Sequence, residues 1–186
     1  MNETFDFVVV GSGGGSMCAA LVMRAAGRSV LVLEKTELVG GTTAISGGVM
    51  WIPNNRFMAA QGIADSREQA IAYLDAVVGE HEDTPGASRE RRLAYVEQAP
   101  KMIDFLVEQG VQLRRIPSWP DYCQAPGESV PGRTVVSELF DVNQLGDWKS
   151  RLRPGFLPLP AYLEEAMQLP DMKRSWASKK VLARVI

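Results

Sequence analysis

The sequence predicts an α/β fold built around a dinucleotide-binding βαβ unit, and three observations near the N-terminus predict it. Val8-Val9-Val10, a run of β-formers, leads straight into a glycine turn, Gly11-Ser12-Gly13-Gly14-Gly15-Ser16. An alanine-rich segment, Met17 to Ala26, follows and stops at Gly27. A second apolar run, Val30-Leu31-Val32-Leu33, ends on an acid, Glu34. Strand, glycine turn, helix and parallel strand closed by an acid form the Rossmann-like unit that holds the ADP half of a dinucleotide.

Each part has a physical role. Gly11 permits the sharp turn off the strand, and Gly13, lacking a side chain, lets a pyrophosphate approach the backbone. The helix opening at Gly14 and Gly15 directs unpaired N–H groups and a partial positive charge toward the phosphates. Glu34 stands where a ribose hydroxyl would find an acceptor. One departure is evident. The third glycine of G-x-G-x-x-G falls at Ser16, where close helix–strand packing favours Gly or Ala, and serine is small enough to fit. Glycines also end strands for no reason but a turn; here strand, helix, spacing and acid agree.

The 186 residues suffice for one sizeable domain or part of a larger one. A net charge of −2 gives no reason to expect a nucleic-acid partner or an anionic membrane surface. Two cysteines, Cys18 and Cys123, make neither a disulfide framework nor a CxxC metal spacing, and no metal is expected. The single histidine, His81, lies among Glu80, Glu82 and Asp83 and reads as a solvated surface residue. There is no basic leader and no apolar stretch approaching the ~18 residues of a membrane span. The expectation is a soluble cytoplasmic protein that begins near Met1.

A second informative stretch is Gly40-Gly41-Thr42-Thr43-Ala44-Ile45-Ser46-Gly47-Gly48. Glycine and serine always permit a plain surface loop. This one follows the presumed ribose acid within a few residues, at the carboxyl end of a parallel strand, where α/β sheets form their ligand crevice. Bare backbone and hydroxyls there suit phosphate oxygens and a polar ring edge.

These residues resemble a known family. The glycine turn, Glu34-Lys35 and the Gly41-Thr42-Thr43…Ser46-Gly47-Gly48 loop look like the flavoproteins that include fumarate reductase and succinate dehydrogenase flavoprotein subunits. The continuation Val49-Met50-Trp51-Ile52-Pro53-Asn54-Asn55 is similar to the narrower 3-ketosteroid dehydrogenases, where S-G-G precedes W-x-P-x-N. The resemblance implies FAD rather than NAD. It places the glycine turn and the acid on the ADP part, with the second loop beside the pyrophosphate and flavin.

Beyond Asn55 the chain reads as helices. Ser66-x-x-Gln69 is a capping box ahead of Ala70, Ile71, Leu74, Val77 and Val78, with Gly79 as the stop. Ser88 can cap another helix. Pro100 is expected to interrupt it at Ala99 and start a new one bearing Met102, Ile103, Leu106 and Val107, which Gly110 ends. Arg89, Arg91 and Arg92 read as a solvated helix start. Val111 to Ile116 and Arg133 to Leu139 read as strands. Pro154, Pro158, Pro160 and Pro170 then break the rest into short pieces, and Ser175 to Ile186 carries Lys179 and Lys180 among apolar residues.

Between those strands runs Pro117-Ser118-Trp119-Pro120-Asp121-Tyr122, a stiff loop with Pro126 following. Such a loop either packs on the surface or lines a pocket. The pattern Trp119-Pro120-Asp121-Tyr122…Ala125-Pro126-Gly127…Gly132-Arg133 is similar to the 3-ketosteroid dehydrogenase segment whose tyrosine faces the substrate. The resemblance therefore gives Tyr122 a substrate-facing catalytic role, in which a phenol stabilises an enolate oxygen or assists a base.

A doubly wound domain needs more parallel strands than are evident here, and members of the resembled family run several times this length. The expected organisation is an incomplete domain. Residues 1–54 form the N-terminal part of the FAD-binding domain, and 55–186 a helical and loop extension leading toward a missing substrate domain. The implied reaction is dehydrogenation of a 3-ketosteroid, Δ1 ahead of Δ4, by proton abstraction α to the ketone and hydride transfer to flavin N5. Its principal catalytic groups would lie beyond Ile186, leaving the fragment alone inactive. A fumarate-reductase-like flavoprotein and an inactive truncated remnant are the alternatives.

Overall fold

The structure is a computed structural model that describes residues 3–79, 84–155, 160–167, 179–180 and 183. His81 with its acidic neighbours, Pro158, Pro170 and most of the segment from Ser175 to Ile186 lie outside the described residues. The chain divides into two compact units. Met1–Gly48 with Leu139–Ile186 make the first, and Val49–Glu138 the second.

In the first unit, β1 (Phe7–Val10), α1 (Gly14–Ala25) and β2 (Val30–Leu33) form the expected βαβ unit. The strands pair in parallel, Phe7 with Val30 through Val10 with Leu33. The register is pinned at its start. Asp6 N–H donates to Ser29 Oγ at 2.9 Å, while Ser29 N–H and Oγ donate to Asp6 Oδ2 at 2.9 and 2.8 Å. Gly27, at φ 76°, ends α1 in a conformation that costs glycine little. Ala20 is the buried residue of that helix, so α1 rides close over the strands.

A 3₁₀ turn, Thr43–Ile45, sits in the following loop. The later part of the same unit contributes 3₁₀ turns over Val142–Arg151, kinked at Gly146, and a short helix, Leu163–Ala166. This later segment is fastened to the earlier one by a parallel bridge between Val39 and Leu152. Val39 N–H donates to the Arg151 carbonyl at 2.8 Å, and Arg153 N–H to the Val39 carbonyl at 2.9 Å.

The second unit holds β3 (Met50–Trp51), α2 (Arg56–Ala60), α3 (Arg67–Val78), α4 (Arg89–Glu108), β4 (Leu113–Arg115) and β5 (Thr134–Ser137). Its antiparallel sheet runs β3-β5-β4. Ile52, Ala99, Ile103 and Val135 form the core, with Met50, Phe57, Met102 and Leu113 packed around it. Ser66 and Ser88 cap their helices as expected, but the Ser66–Gln69 capping box is only half formed, because Ser66 N–H donates to Asp65 Oδ1 at 2.9 Å. Ser66 accepts from Gln69 N–H at 3.1 Å and Ser88 from Arg91 N–H at 3.4 Å. Asn55 caps α2, accepting from Phe57 and Met58 N–H.

Three other expectations need correction. Pro100 does not split α4, which is continuous from Arg89 to Glu108. The buried positions Val96, Ala99 and Ile103 fall on both sides of the proline, so packing of one face outweighs the lost backbone donor. Arg92 is not solvated: it is 8 % exposed and pairs with Asp75 at 2.7 Å. The strands are shorter than their apolar runs, and Arg115, inside β4, is buried. Its guanidinium donates to Gln61 Oε1 at 2.9 and 2.6 Å and to the Gly132 carbonyl at 3.1 Å.

The α/β class holds. Among the described residues no helix is long and apolar enough to cross a membrane, and no cluster of His, Cys, Asp or Glu could hold a metal ion. Cys18 and Cys123 are both free thiols.

Candidate dinucleotide site

The glycine turn and the second glycine loop come together. Gly11, at φ 91°, turns the chain off β1, and α1 starts at Gly14 with no acid in its first turn. The first turn of α1 carries no acid of its own, so an anion at this helix start would meet backbone N–H groups. A Cβ at Gly15 would meet nothing within 4 Å, so space is open beside the helix start. A Cβ at Gly41 would lie 3.3 Å from Gly13 Cα, which is why the two loops meet glycine to glycine. Thr43 reaches across, and its Oγ1 accepts from Gly14 N–H at 2.9 Å. Ser16, the departure from the three-glycine pattern, turns its hydroxyl back to the Val10 carbonyl at 3.4 Å and remains compatible with the close packing of α1.

The loop's own bonds shape it. Ser46 Oγ donates to the Thr43 carbonyl at 2.9 Å and accepts from Gly48 N–H at 3.1 Å. Gly48 has φ 63° and open space around it. Gly47 has a different reason to be glycine, since a Cβ there would approach Leu163 Cδ2 to 2.5 Å. Thr42 is exposed, and so is Lys35 beside Glu34.

Glu34 lies just past the end of β2 and binds two protein partners. Its Oε2 accepts from Ser12 N–H at 3.1 Å and from Ser12 Oγ at 2.5 Å, and its Oε1 accepts from Thr36 N–H at 3.2 Å. The Thr36 hydroxyl, 3.4 Å from Oε1, spends its single proton on the Leu38 carbonyl at 2.8 Å. The Ser12 hydroxyl, then the Thr36 N–H, hold the Glu34 carboxyl below its ordinary value. Ser12 Oγ also accepts from Gly40 N–H at 2.8 Å. One buried hydroxyl thus ties the glycine turn, the acid and the second loop together.

Beside Glu34 opens a cavity of about 670 Å³, within the range of small-molecule and cofactor sites. It is lined by Ser12, Glu34, Val39 and Gly40, and by Trp148 and Leu152 from the later segment. Sequence reasoning missed Ser12's linking role and the whole 148–152 wall. Asp-Trp-Lys-Ser-Arg-Leu carries no periodicity and no glycine pattern, so its only signal was a tryptophan among charged residues.

Tyr122 belongs to the second unit. Its side chain is 98 % exposed, while the preceding Asp121 is buried. Asp121 accepts from Trp51 Nε1 at 2.9 Å, Ser129 N–H at 3.1 Å, Arg133 N–H at 3.2 Å and the Arg133 guanidinium at 2.5 Å. Arg133, fully buried, also grips Asp65 at 2.9 and 2.8 Å and lies 5.3 Å from the Trp51 ring. Burial alone would lower the Arg133 pKa; Asp65 and Asp121 outweigh it and hold it up. The tryptophan, aspartate and arginine of the two motifs thus form one interior cluster, and Tyr122 stands outside it. Asp65 is the member that sequence reasoning did not single out.

A family profile described as FAD binding domain matches residues 6–184. The 3-oxosteroid 1-dehydrogenase of Mycobacterium tuberculosis (strain ATCC 25618 / H37Rv) is 35 % identical over 178 residues, 92 % of this chain and 31 % of that protein. The 4-oxocyclohexanecarboxylate 2-dehydrogenase of Sinomonas cyclohexanicum is 42 % identical over 155 residues, 81 % of this chain and 26 % of that protein. Among solved structures, the 3-ketosteroid Δ1-dehydrogenase of Sterolibacterium denitrificans, in complex with 1,4-androstadiene-3,17-dione, superposes with a TM-score of 0.81 at 36 % identity. That match covers 98 % of this chain and 33 % of the other. The chain thus spans about a quarter to a third of the length of these relatives. The glycine turn, the acid-free helix start and the open space beside Gly15 fit the cofactor that the profile names. This chain belongs to the FAD-binding domain family, and FAD is its cofactor.

Proposed function

We propose that this chain is the front of an FAD-dependent oxidoreductase that dehydrogenates 3-ketosteroids, with the Δ1 position preferred. The observation that carries the reading is the 35 % identity to a 3-oxosteroid 1-dehydrogenase over 92 % of the chain. In this reading residues 1–54 are the N-terminal part of a Rossmann-like, doubly wound FAD domain that later strands complete, and 55–186 extend it toward a substrate domain. Gly11, Ser12, Gly13, Gly14, Gly15 and Ser16 face the pyrophosphate, and Glu34 with Lys35 the ribose. Gly41, Thr42, Thr43, Ser46, Gly47 and Gly48 run along pyrophosphate and flavin.

Tyr122 faces the substrate. Its phenol holds or helps move the proton at the carbon next to the ketone, while the buried cluster steadies the loop it stands on. FAD, when bound, accepts the hydride from the adjacent carbon. The partners are small apolar molecules rather than nucleic acid, and the place of action is the cytoplasm. Balanced charge and unpaired cysteines support both points.

The test is anaerobic addition of a 3-ketosteroid to the yellow full-length protein. Loss of the flavin absorption near ~450 nm is expected; an unchanged spectrum counts against the steroid. The 42 % identity to a 4-oxocyclohexanecarboxylate dehydrogenase favours a second reading, in which the substrate is a single-ring ketone. Bleaching by 4-oxocyclohexanecarboxylate and not by steroid would select it. Bleaching by neither would leave the ring-ketone class without support.

A further inference from the structure

Glu34 is one of several residues that line the cavity. Its lining is mixed: Thr36, Glu37 and Arg151 join Ser12 and Glu34 as polar or charged groups, beside apolar Met17, Val32, Val39 and Leu152. Trp148 lines the same cavity. Its side chain is 57 % exposed although it lines a cavity, so the indole is presented and not packed away. The Arg151 guanidinium lies 5.4 Å from the centre of its ring, a cation–π distance that holds the indole's orientation. The wall carrying both is fixed in place by the Val39–Leu152 bridge and its two backbone hydrogen bonds.

If the helix start faces the diphosphate and Glu34 the ribose, the next group outward along the cofactor is adenine, a flat apolar surface. We propose that Trp148 is an adenine-stacking residue of the FAD site, supplied by the segment that returns after the second unit and steadied by Arg151. This rests on the FAD reading and deepens it. Aromatic stacking suits adenine because the indole and the base match face to face, and each such contact removed by alanine costs about tenfold or more in affinity. Stacking is a contact of shape and π-surface and does not depend on reading the base edge.

The test uses ADP as probe, since ADP keeps the adenine, ribose and diphosphate and lacks the flavin. It is titrated into the flavin-stripped full-length protein, and FAD is titrated in parallel. Trp148→Ala should raise both Kd values about tenfold or more, while Trp148→Phe, which retains a ring, should stay within about threefold. ADP should quench indole fluorescence in the wild type, and Trp148→Phe should lose that quenching. The quenching comparison stands even if the alanine variant is insoluble. Unchanged ADP affinity in Trp148→Ala, or ADP quenching that survives in Trp148→Phe, overturns the proposal while the FAD site itself stands. A wild type that binds neither FAD nor ADP overturns both.

Discussion

At the scale of single residues, Glu34 and Tyr122 carry the heaviest expectations. Glu34→Ala should leave the protein folded and weaken FAD binding roughly tenfold to a hundredfold, because a charge-assisted acceptor for the ribose is lost. Fluorescence titration of the flavin-stripped protein checks this, and an unchanged Kd would make Glu34 a tie between loops and nothing more. Its titration adds a pH signature. The folded carboxyl sits below its ordinary value of 4.5, chiefly through the Ser12 hydroxyl. Its stabilising contribution is therefore complete above 4.5 and disappears as pH falls through the lower folded value. The stability difference between wild type and Glu34→Gln should accordingly shrink toward zero at the acid end. Tyr122→Phe keeps the ring and removes one hydroxyl. Turnover on a 3-ketosteroid should fall by roughly 10²-fold or more while flavin content and melting temperature stay the same. Equal turnover would reduce Tyr122 to an exposed loop aromatic.

Among the elements, α4 is the instructive case. Its proline sits in mid-helix and removes a backbone donor that would otherwise face the Val96 carbonyl. Pro100→Ala should restore that donor and stabilise the second unit by up to about 3 kcal/mol, read as a higher denaturation midpoint; a lower midpoint would mean that the helix needs the ring's packing. The sequence made every cap around α3 and α4 visible, because Ser66 and Ser88 act on their own neighbours. It left the continuity of α4 invisible, because that depends on a core made with Ile52 and Val135 from distant parts of the chain. The same distinction runs through the candidate site. Gly11 to Ser16 and Glu34 are legible from spacing alone. The Asp65–Arg133–Asp121 cluster and the Trp148 wall are long-range associations, and a buried arginine reads in sequence like a solvated one until its acids are located. Arg92 was hidden for this reason, and Arg115 because its partners are Gln61 and the Gly132 carbonyl, both distant in sequence.

For the whole molecule, the expectation is a chain that depends on further structure. β1 and β2 leave Val8, Val10 and Leu33 49 %, 80 % and 48 % exposed. Parallel sheets are normally covered on both faces, and open apolar strands invite association with other chains. Bound FAD offsets this little, since a ligand stabilises by RT ln(1 + [L]/Kd) and Kd is high when part of the site is absent. Residues 1–186 expressed alone with added FAD should therefore give aggregated protein with sub-stoichiometric flavin and no steroid oxidation. A soluble monomer holding one FAD would contradict the incompleteness of the domain. An active one would place the catalytic groups within these residues.

The bridge between Val39 and Leu152 bears on the order in which the protein is made. All of Val49–Glu138 is synthesised between the two halves of that clasp. Domains ordinarily fold as they leave the ribosome, N-terminal first. Here the nucleotide unit starts first and closes last, because its second wall is translated after the entire intervening unit. The glycine turn must wait, unsealed, for residues that arrive later. Nascent chains stalled with their exposed ends before Leu139 should show protease protection of 49–138 only. Protection of β1 and β2 should appear once Arg153 has emerged, and earlier protection would show that the clasp is dispensable for the strands.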